Sequence, residues 1–255
     1  MTTRLTTRGT TRSTTRGTSP APSFTPSSIA NLAVWLDAMD ASTVLRDTGS
    51  GFVPAANGEA VARWVDKSAN AHILAQTTSG SRPLLSTSAG PSGGRCITFD
   101  GTDDCLTKIG SVFDYPATIF KVVRLITDTD LRYYFDTRGS GSRIGEFNRT
   151  GRINRNSSNL PVTSIALTAN TWGVVTSDHS TTEIGFRLNG VSRLSQVQSV
   201  TPSGSTGLVL GANNPASPTA FLNFEMAEFV VYGRILNSTE QNQVRNYLKV
   251  KYGTP

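Results

Sequence analysis

The sequence predicts an all-β fold of antiparallel sheets closed by one C-terminal helix. Short runs rich in β-branched and aromatic residues recur along the chain, and Gly, Asn, Ser or Pro stand between many of them. One of these runs, EIGFRLN (183–189), alternates strictly: Ile184, Phe186 and Leu188 fall on one face, Glu183, Gly185 and Arg187 on the other. A period of two marks a strand with one buried and one wet face. Clear helical spacing appears only at the C-terminus, where Val244, Tyr247, Leu248 and Lys251 share a stripe.

The chain opens with TTRLTTRGTTRSTTRG (2–17), a repeated Thr-Thr-Arg-x unit without an acidic residue. Thr and Gly form helices poorly and the repeat has no apolar stripe, which predicts an extended arm. Extended, it sets Arg4, Arg8, Arg12 and Arg16 along one edge about 13 Å apart. Bidentate arginines at regular spacing suit carboxylates repeated on a lattice of subunits. Threonines without aromatics give bases nothing to stack on, which disfavours a nucleic-acid partner. SPAPSFTPSS (19–28) follows, and Pro20, Pro22 and Pro26 make it an extended spacer. Residues 1–28 are therefore arm and linker, and 29–255 form the folded domain.

Within the domain the expected strands are TIFKVVRL (118–125), LRYYFD (131–136), WGVVTS (172–177), EIGFRLN, GLVLG (207–211) and FEMAEFVVY (224–232). Asn189-Gly190 directly after EIGFRLN suits a tight type I′ hairpin, because both central residues need positive φ. RCITF and CLTK read as a second hairpin joined by the turn DGTDD (100–104). The helix is expected to start at a Ser238 cap with Gln241 in the capping-box position. It should stop at Gly253, with Lys249 and Lys251 near the final carbonyls and its stripe against a sheet edge.

A chain of 255 residues with 37% hydrophobic content can bury a real core. Its formal charge of +6 belongs mostly to the arm, so the body does not read as a nucleic-acid-binding domain. No apolar run approaches the roughly 20 residues of a membrane span, and no hydrophobic stretch follows the first arginines. The expectation is a chain without a membrane partner and without a secretory leader. Two cysteines and two histidines offer no zinc set.

The succession NLAVWLDAMD, WVDKSAN, ITFDGTDDCL, FRLNG, LVLGANN and EMAEFVVYGRILNSTEQNQVRNYLKVKYG resembles the laminin-G-like, concanavalin-A-like jelly roll from Ile29 to about Gly253. Cys105 stands where that family often shows Tyr. The resemblance implies a two-sheet antiparallel jelly-roll sandwich with a short helix closing it. It also implies a class of function, since such domains occur in phage capsid decoration proteins and tail adhesins. A body rich in Thr, Ser, Asn and Gly, without a leader, suits a virion protein made in the host cytoplasm and displayed on the virion surface. On that reading the protein is a non-enzymatic decoration or cement protein whose arm anchors it to capsid or tail subunits, with a homo-oligomer as a further partner. The alternative is a carbohydrate-binding adhesin that meets a host surface glycan, calcium-assisted in some relatives.

The candidate chemistry is sparse. Glu225 and Glu228 in FEMAEF are three apart, which in a regular strand sends them to opposite faces, whereas glycosidases need paired carboxylates on one side. GPSGG (90–94) matches a nucleophile-elbow spacing around Ser92, yet a strand rather than a helix follows it. Asp100, Asp103 and Asp104 gather hard oxygens that suit weak calcium binding, but Asp and Gly also build tight turns on their own account. Asp66 and Asn70 of WVDKSAN suit Asx-type turns, with Trp64 packed inward. Arg138, Arg143, Arg149, Arg152 and Arg155 form a basic hairpin that either contacts an acidic partner or is simply solvated. Tyr133, Tyr134 and Tyr232 are either sugar-stacking platforms or core. In the expected DGTDD hairpin, Cys96 and Cys105 lie diagonally, too far apart for a disulfide, so both are expected as buried free thiols.

Overall fold

A computed structural model describes residues 24–127, 132–137, 144–147, 153–155, 158–160, 167–197 and 205–254. Its strands, in chain order, are β1 (Leu32–Asp37), β2 (Val44–Asp47), β3 (Phe52–Pro54), β4 (Arg63–Val65), β5 (Ile73–Ala75), β6 (Leu84–Ser86), β7 (Cys96–Asp100), β8 (Leu106–Ile109) and β9 (Ala117–Leu125). After these come β10 (Tyr133–Asp136), β11 (Gly145–Phe147), β12 (Ile153–Arg155), β13 (Ser158–Leu160), β14 (Trp172–His179), β15 (Glu183–Leu188), β16 (Val191–Val197), β17 (Gly207–Leu210) and β18 (Asn223–Tyr232). The helix α1 spans Ser238–Tyr252.

The strands form two antiparallel sheets. Among the described residues the first has eight strands, in the order β16-β15-β14-β9-β18-β7-β6 with β1 also on β18, and the second has ten, β13-β12-β11-β10-β17-β8-β5-β4-β2-β3. The chain is therefore the all-β, two-sheet jelly-roll sandwich with a short C-terminal helix that the sequence predicts. Its six expected strands all form, and Asn189 (φ 50°) and Gly190 (φ 81°) make the two-residue turn between β15 and β16. No helix of the described residues is long and apolar enough to cross a membrane.

Two apolar layers hold the fold. The inner one lies between the sheets, where Phe99 and Phe224 stack with ring centroids 4.6 Å apart and Phe229 meets Phe135 edge-on. The outer one is made by α1, whose Val244, Leu248 and Tyr252 cover Trp35, Phe120 and Tyr232 on the outer face of the first sheet. The helix thus packs across a sheet face, not on an edge as expected. Burying Val244 and Leu248 contributes about 1.5–3 kcal/mol each.

Three local expectations change. The cap of α1 is Asn237, one residue earlier than expected: its side chain accepts from the Glu240 amide while the Glu240 carboxylate accepts from the Asn237 amide. Asparagine supplies the acceptor and glutamate the returning carboxylate, which frees Gln241 for another task. RCITF and CLTK do not pair, because β7 lies in the first sheet and β8 in the second; DGTDD carries the chain between the sheets. Cys96 and Cys105 are indeed buried and free, but in separate clusters, and burial pushes the Cys96 thiol up to about 12. The end of the linker is also not extended: Pro26–Ser28 form a 3-10 turn, and the Pro26 carbonyl accepts from the Tyr232 hydroxyl.

Candidate functional site

The wet face of β15 builds one wall of a groove. Glu183, Gly185 and Arg187 point away from the inner core, beside Asp178 of β14 and Ser192 and Ser195 of β16, and the first turns of α1 supply Ser238, Gln241, Asn242 and Arg245 opposite them. Ile235 and Leu236 add a small apolar side. The enclosed space is about 390 Å³, within the range of small-ligand sites. A smaller recess of about 150 Å³, lined by Asn189, Asn246 and Lys249, shares Arg245 with it.

Asp178 organises this groove. Its Oδ1 accepts from Thr118 Oγ1 at 2.9 Å and Gln241 Nε2 at 3.1 Å, and its Oδ2 accepts from Arg187 Nη1 at 2.5 Å. Gln241 also donates to the Leu236 carbonyl, and Thr118 accepts from the Leu236 amide, so the loop entering α1 is tied to the sheet through the same residues. Gly185 sits opposite Asp178, and a Cβ there would come within 3.2 Å of its Oδ2. The missing side chain makes room for the carboxylate to lie over the strand.

Arg245 is the contrasting group. It is half-buried over the Asn189-Gly190 turn, with the amide oxygens of Asn242 and Gln241 as its hydrogen-bond acceptors rather than a carboxylate. Burial, together with the nearby Arg187 charge, holds its guanidinium below the usual arginine range. Hydroxyls both donate and accept, so a wall of carboxylate, amide, hydroxyl and guanidinium groups in one groove is chemically matched to a polyhydroxylated ligand.

The residues singled out in the sequence lie elsewhere. Arg4, Arg8, Arg12, Arg16, Arg138, Arg143, Arg149 and Arg152 fall outside the described residues, while Arg155 ends β12. Asp100, Asp103 and Asp104 do converge, with ligand oxygens within 4.8 Å of one another. Their oxygens serve the loop itself: Asp100 Oδ1 accepts from the Thr102 amide, Asp104 Oδ2 from the Asp100 amide, and Asp103 Oδ2 from Ser81 Oγ. Burial, joined by repulsion from the other two, raises Asp104 to about 6. Three convergent carboxylates suit calcium in charge and donor type, and the same hydrogen bonds already give them structural work.

Glu225 and Glu228 share a face, contrary to expectation. A β-bulge between Met226 and Glu228 inserts one residue against β9, so the alternation slips by one position. Both turn outward, Glu225 to Arg124 and Glu228 to Lys251 and the hydroxyls of Tyr247 and Tyr252. Each is committed to an ion pair. Tyr133, Tyr134 and Tyr232 are buried, which makes them core. Ser92 donates to the Tyr252 carbonyl, and the Asp66 carboxylate accepts from the Trp35 and Ser68 amides, so both are architectural. The sequence reading missed the groove as a site. Its signals were Arg187 on the wet face and the Gln241/Arg245 pair one helical turn apart.

No family model and no curated protein matches this chain. Solved structures do match in fold. Domain 4 of AbnA, a GH43 extracellular arabinanase from Geobacillus stearothermophilus, in complex with arabinotriose, is 13% identical with a TM-score of 0.57, covering 85% of this chain and 98% of that one. A mutant GH54 α-L-arabinofuranosidase soaked with 4-nitrophenyl α-L-arabinofuranoside is 11% identical with a TM-score of 0.63, covering 87% and 63%. The binding domain of Paraclostridial Mosquitocidal Protein 1 is 14% identical with a TM-score of 0.54, covering 88% and 55%. In Trypanosoma rangeli sialidase in complex with sialic acid, the chain spans 34% of that protein's length, at 11% identity and a TM-score of 0.56. At these identities the likeness is one of fold alone: the chain shares the two-sheet β-sandwich of these proteins.

Proposed function

We propose that the chain is a non-catalytic carbohydrate-binding module whose ligand lies in the groove between the β15–β16 hairpin and α1. The observation that carries this reading is the convergence there of Asp178, Arg187, Gln241, Asn242, Arg245 and four serines around about 390 Å³. The fold likeness to an arabinanase domain solved with arabinotriose supports the same class of ligand. The carboxylates argue for binding over hydrolysis. In the groove Asp178 accepts from three side chains, which leaves Glu183, hydrogen-bonded by Ser195, without a second available carboxylate beside it among the described residues, whereas a glycosidase needs a pair.

The test is titration of arabinotriose and of a glycan panel into the protein by calorimetry. Wild type binds one class saturably and releases no reducing sugar, while Arg245→Ala weakens binding by about tenfold or more with an unchanged melting temperature. Absence of saturable binding across the panel, or binding untouched by the substitution, overturns the groove as the site.

The Thr-Thr-Arg-x repeat favours a second reading that is compatible with the first: display on a virion surface, with Arg4, Arg8, Arg12 and Arg16 held by acidic neighbouring subunits. Deleting residues 1–18 then abolishes incorporation into the particle and leaves glycan binding intact. Incorporation at normal occupancy without the arm would sink this reading.

A further inference from the structure

The space between the sheets holds a group of polar side chains that the groove does not use. On β9, Ile119, Lys121 and Val123 face inward, so Lys121 enters the apolar layer from the middle of the first sheet. Its Nζ lies 5.4 Å from the Tyr134 ring centroid, 5.8 Å from Phe135 and 5.4 Å from Phe186. It is paired with Glu146, which comes from β11 of the second sheet. The other carboxylate oxygen accepts from Ser177 Oγ, and His179 Nε2 stands 3.0 Å from that hydroxyl and 3.6 Å from the carboxylate. None of the four residues is more than 1% exposed.

Such a group is costly as an ion pair. Removing an ammonium and a carboxylate from water costs several kcal/mol per ion, which mutual attraction repays only with excellent geometry. Apolar surroundings favour transfer of the proton from Nζ to the carboxylate, toward a neutral amine beside a neutral acid. Burial accordingly holds the Lys121 amine well below its ordinary range. A neutral amine against a neutral carboxyl group, shielded from water, is a nucleophile against an electrophile.

We propose that Lys121 and Glu146 join in an intramolecular amide bond that staples the two sheets. The amine lone pair attacks Cδ of the protonated carboxyl group and forms the N–C bond. The nitrogen then loses a proton, which the Ser177 hydroxyl and His179 imidazole relay to a carboxyl oxygen. That C–O bond breaks, and the oxygen leaves as water. One amine and one acid give one amide and one water, with no oxidant, reductant or activating group required. Ser177 and His179 are the groups that hold the carboxyl in place and move the proton.

The experiment is intact-mass spectrometry of the purified full chain, followed by tryptic mapping. The expected mass falls below the sequence mass by one water, and trypsin yields a branched species joining 109–124 to 144–149 with no cleavage after Lys121. Lys121→Arg, which keeps a long basic side chain and cannot form the bond, restores the sequence mass. The full sequence mass in wild type with normal cleavage after Lys121 overturns the proposal. So does a water loss without the branch, as from cyclisation at Asp100-Gly101. The wild-type map decides the matter even where the variant fails to fold, and none of these outcomes depends on glycan binding.

Discussion

Glu146 and Glu228 are both 1% exposed and both face a lysine, on opposite sides of the same sheet. Their surroundings differ in where they lead. Glu228 opens a graded path to water: it accepts from Lys251, Tyr252, Tyr247 and the Trp35 indole, Lys251 also meets Asp37, and Asp37 meets Lys67, which reaches Asp40 at the rim. Lys251 and Lys67 keep 19% and 22% of their side chains in contact with solvent, so charge on this side stays hydrated at its far end. The Lys121 group is ringed by aromatic side chains and closed at all four members. Burial pushes the Glu228 carboxyl up as well, against the pull of Lys251 and the Tyr252 hydroxyl, so the two lysine–glutamate pairs differ in their access to water: one keeps a hydrated end and the other has none.

Removing the outer acceptor is expected to have the largest effect. Glu228→Ala leaves Lys251, the Tyr252 hydroxyl and the Trp35 indole N–H without their shared partner, at a cost of about 3–5 kcal/mol in denaturant unfolding. A loss under about 1 kcal/mol would show that hydration of the lysine ends, not the glutamate, supports this side.

Asp104 sharpens the comparison as a buried carboxylate that faces other carboxylates and no lysine. Because it is raised to about 6, the folded state holds a proton that the unfolded chain releases. Its contribution to stability is therefore full below the ordinary carboxylate range near pH 4 and is lost as pH rises through about 6. Asp104→Asn keeps the acceptor for the Asp100 amide and removes the charge. It is expected to stabilise by on the order of 1 kcal/mol at neutral pH, with the gain gone near pH 4 in melting-temperature series. A calcium-dependent rise in melting temperature that this variant loses would assign the cluster to the metal. No such rise would leave it as a turn.

The fold was largely legible because it is local. WGVVTS, EIGFRLN and FEMAEFVVY carry their period in consecutive residues, and Asn189-Gly190 names its own turn. The site was less so, because its parts are distant. Arg187 could be put on the wet face from alternation alone, but Arg245 reaches it only because α1 crosses the sheet face. Lys121 is the one charge on the core-facing alternation of TIFKVVRL, and that was a readable anomaly. Its partners Glu146, Ser177 and His179 come from other strands, and no spacing announces them. DGTDD was misjudged because a turn within a sheet and a crossing between sheets use the same residues.

The bulge in β18 acts on the strand as a frameshift acts on a message. Before it, Phe224 and Met226 read inward against β7; after it, Phe229 and Val231 read inward against β1, on the other phase. One long strand thereby serves two neighbours in succession, each with its own parity. Substitutions in its two halves are read in separate frames, and Ala227, at the slip, is where one frame hands the chain to the other.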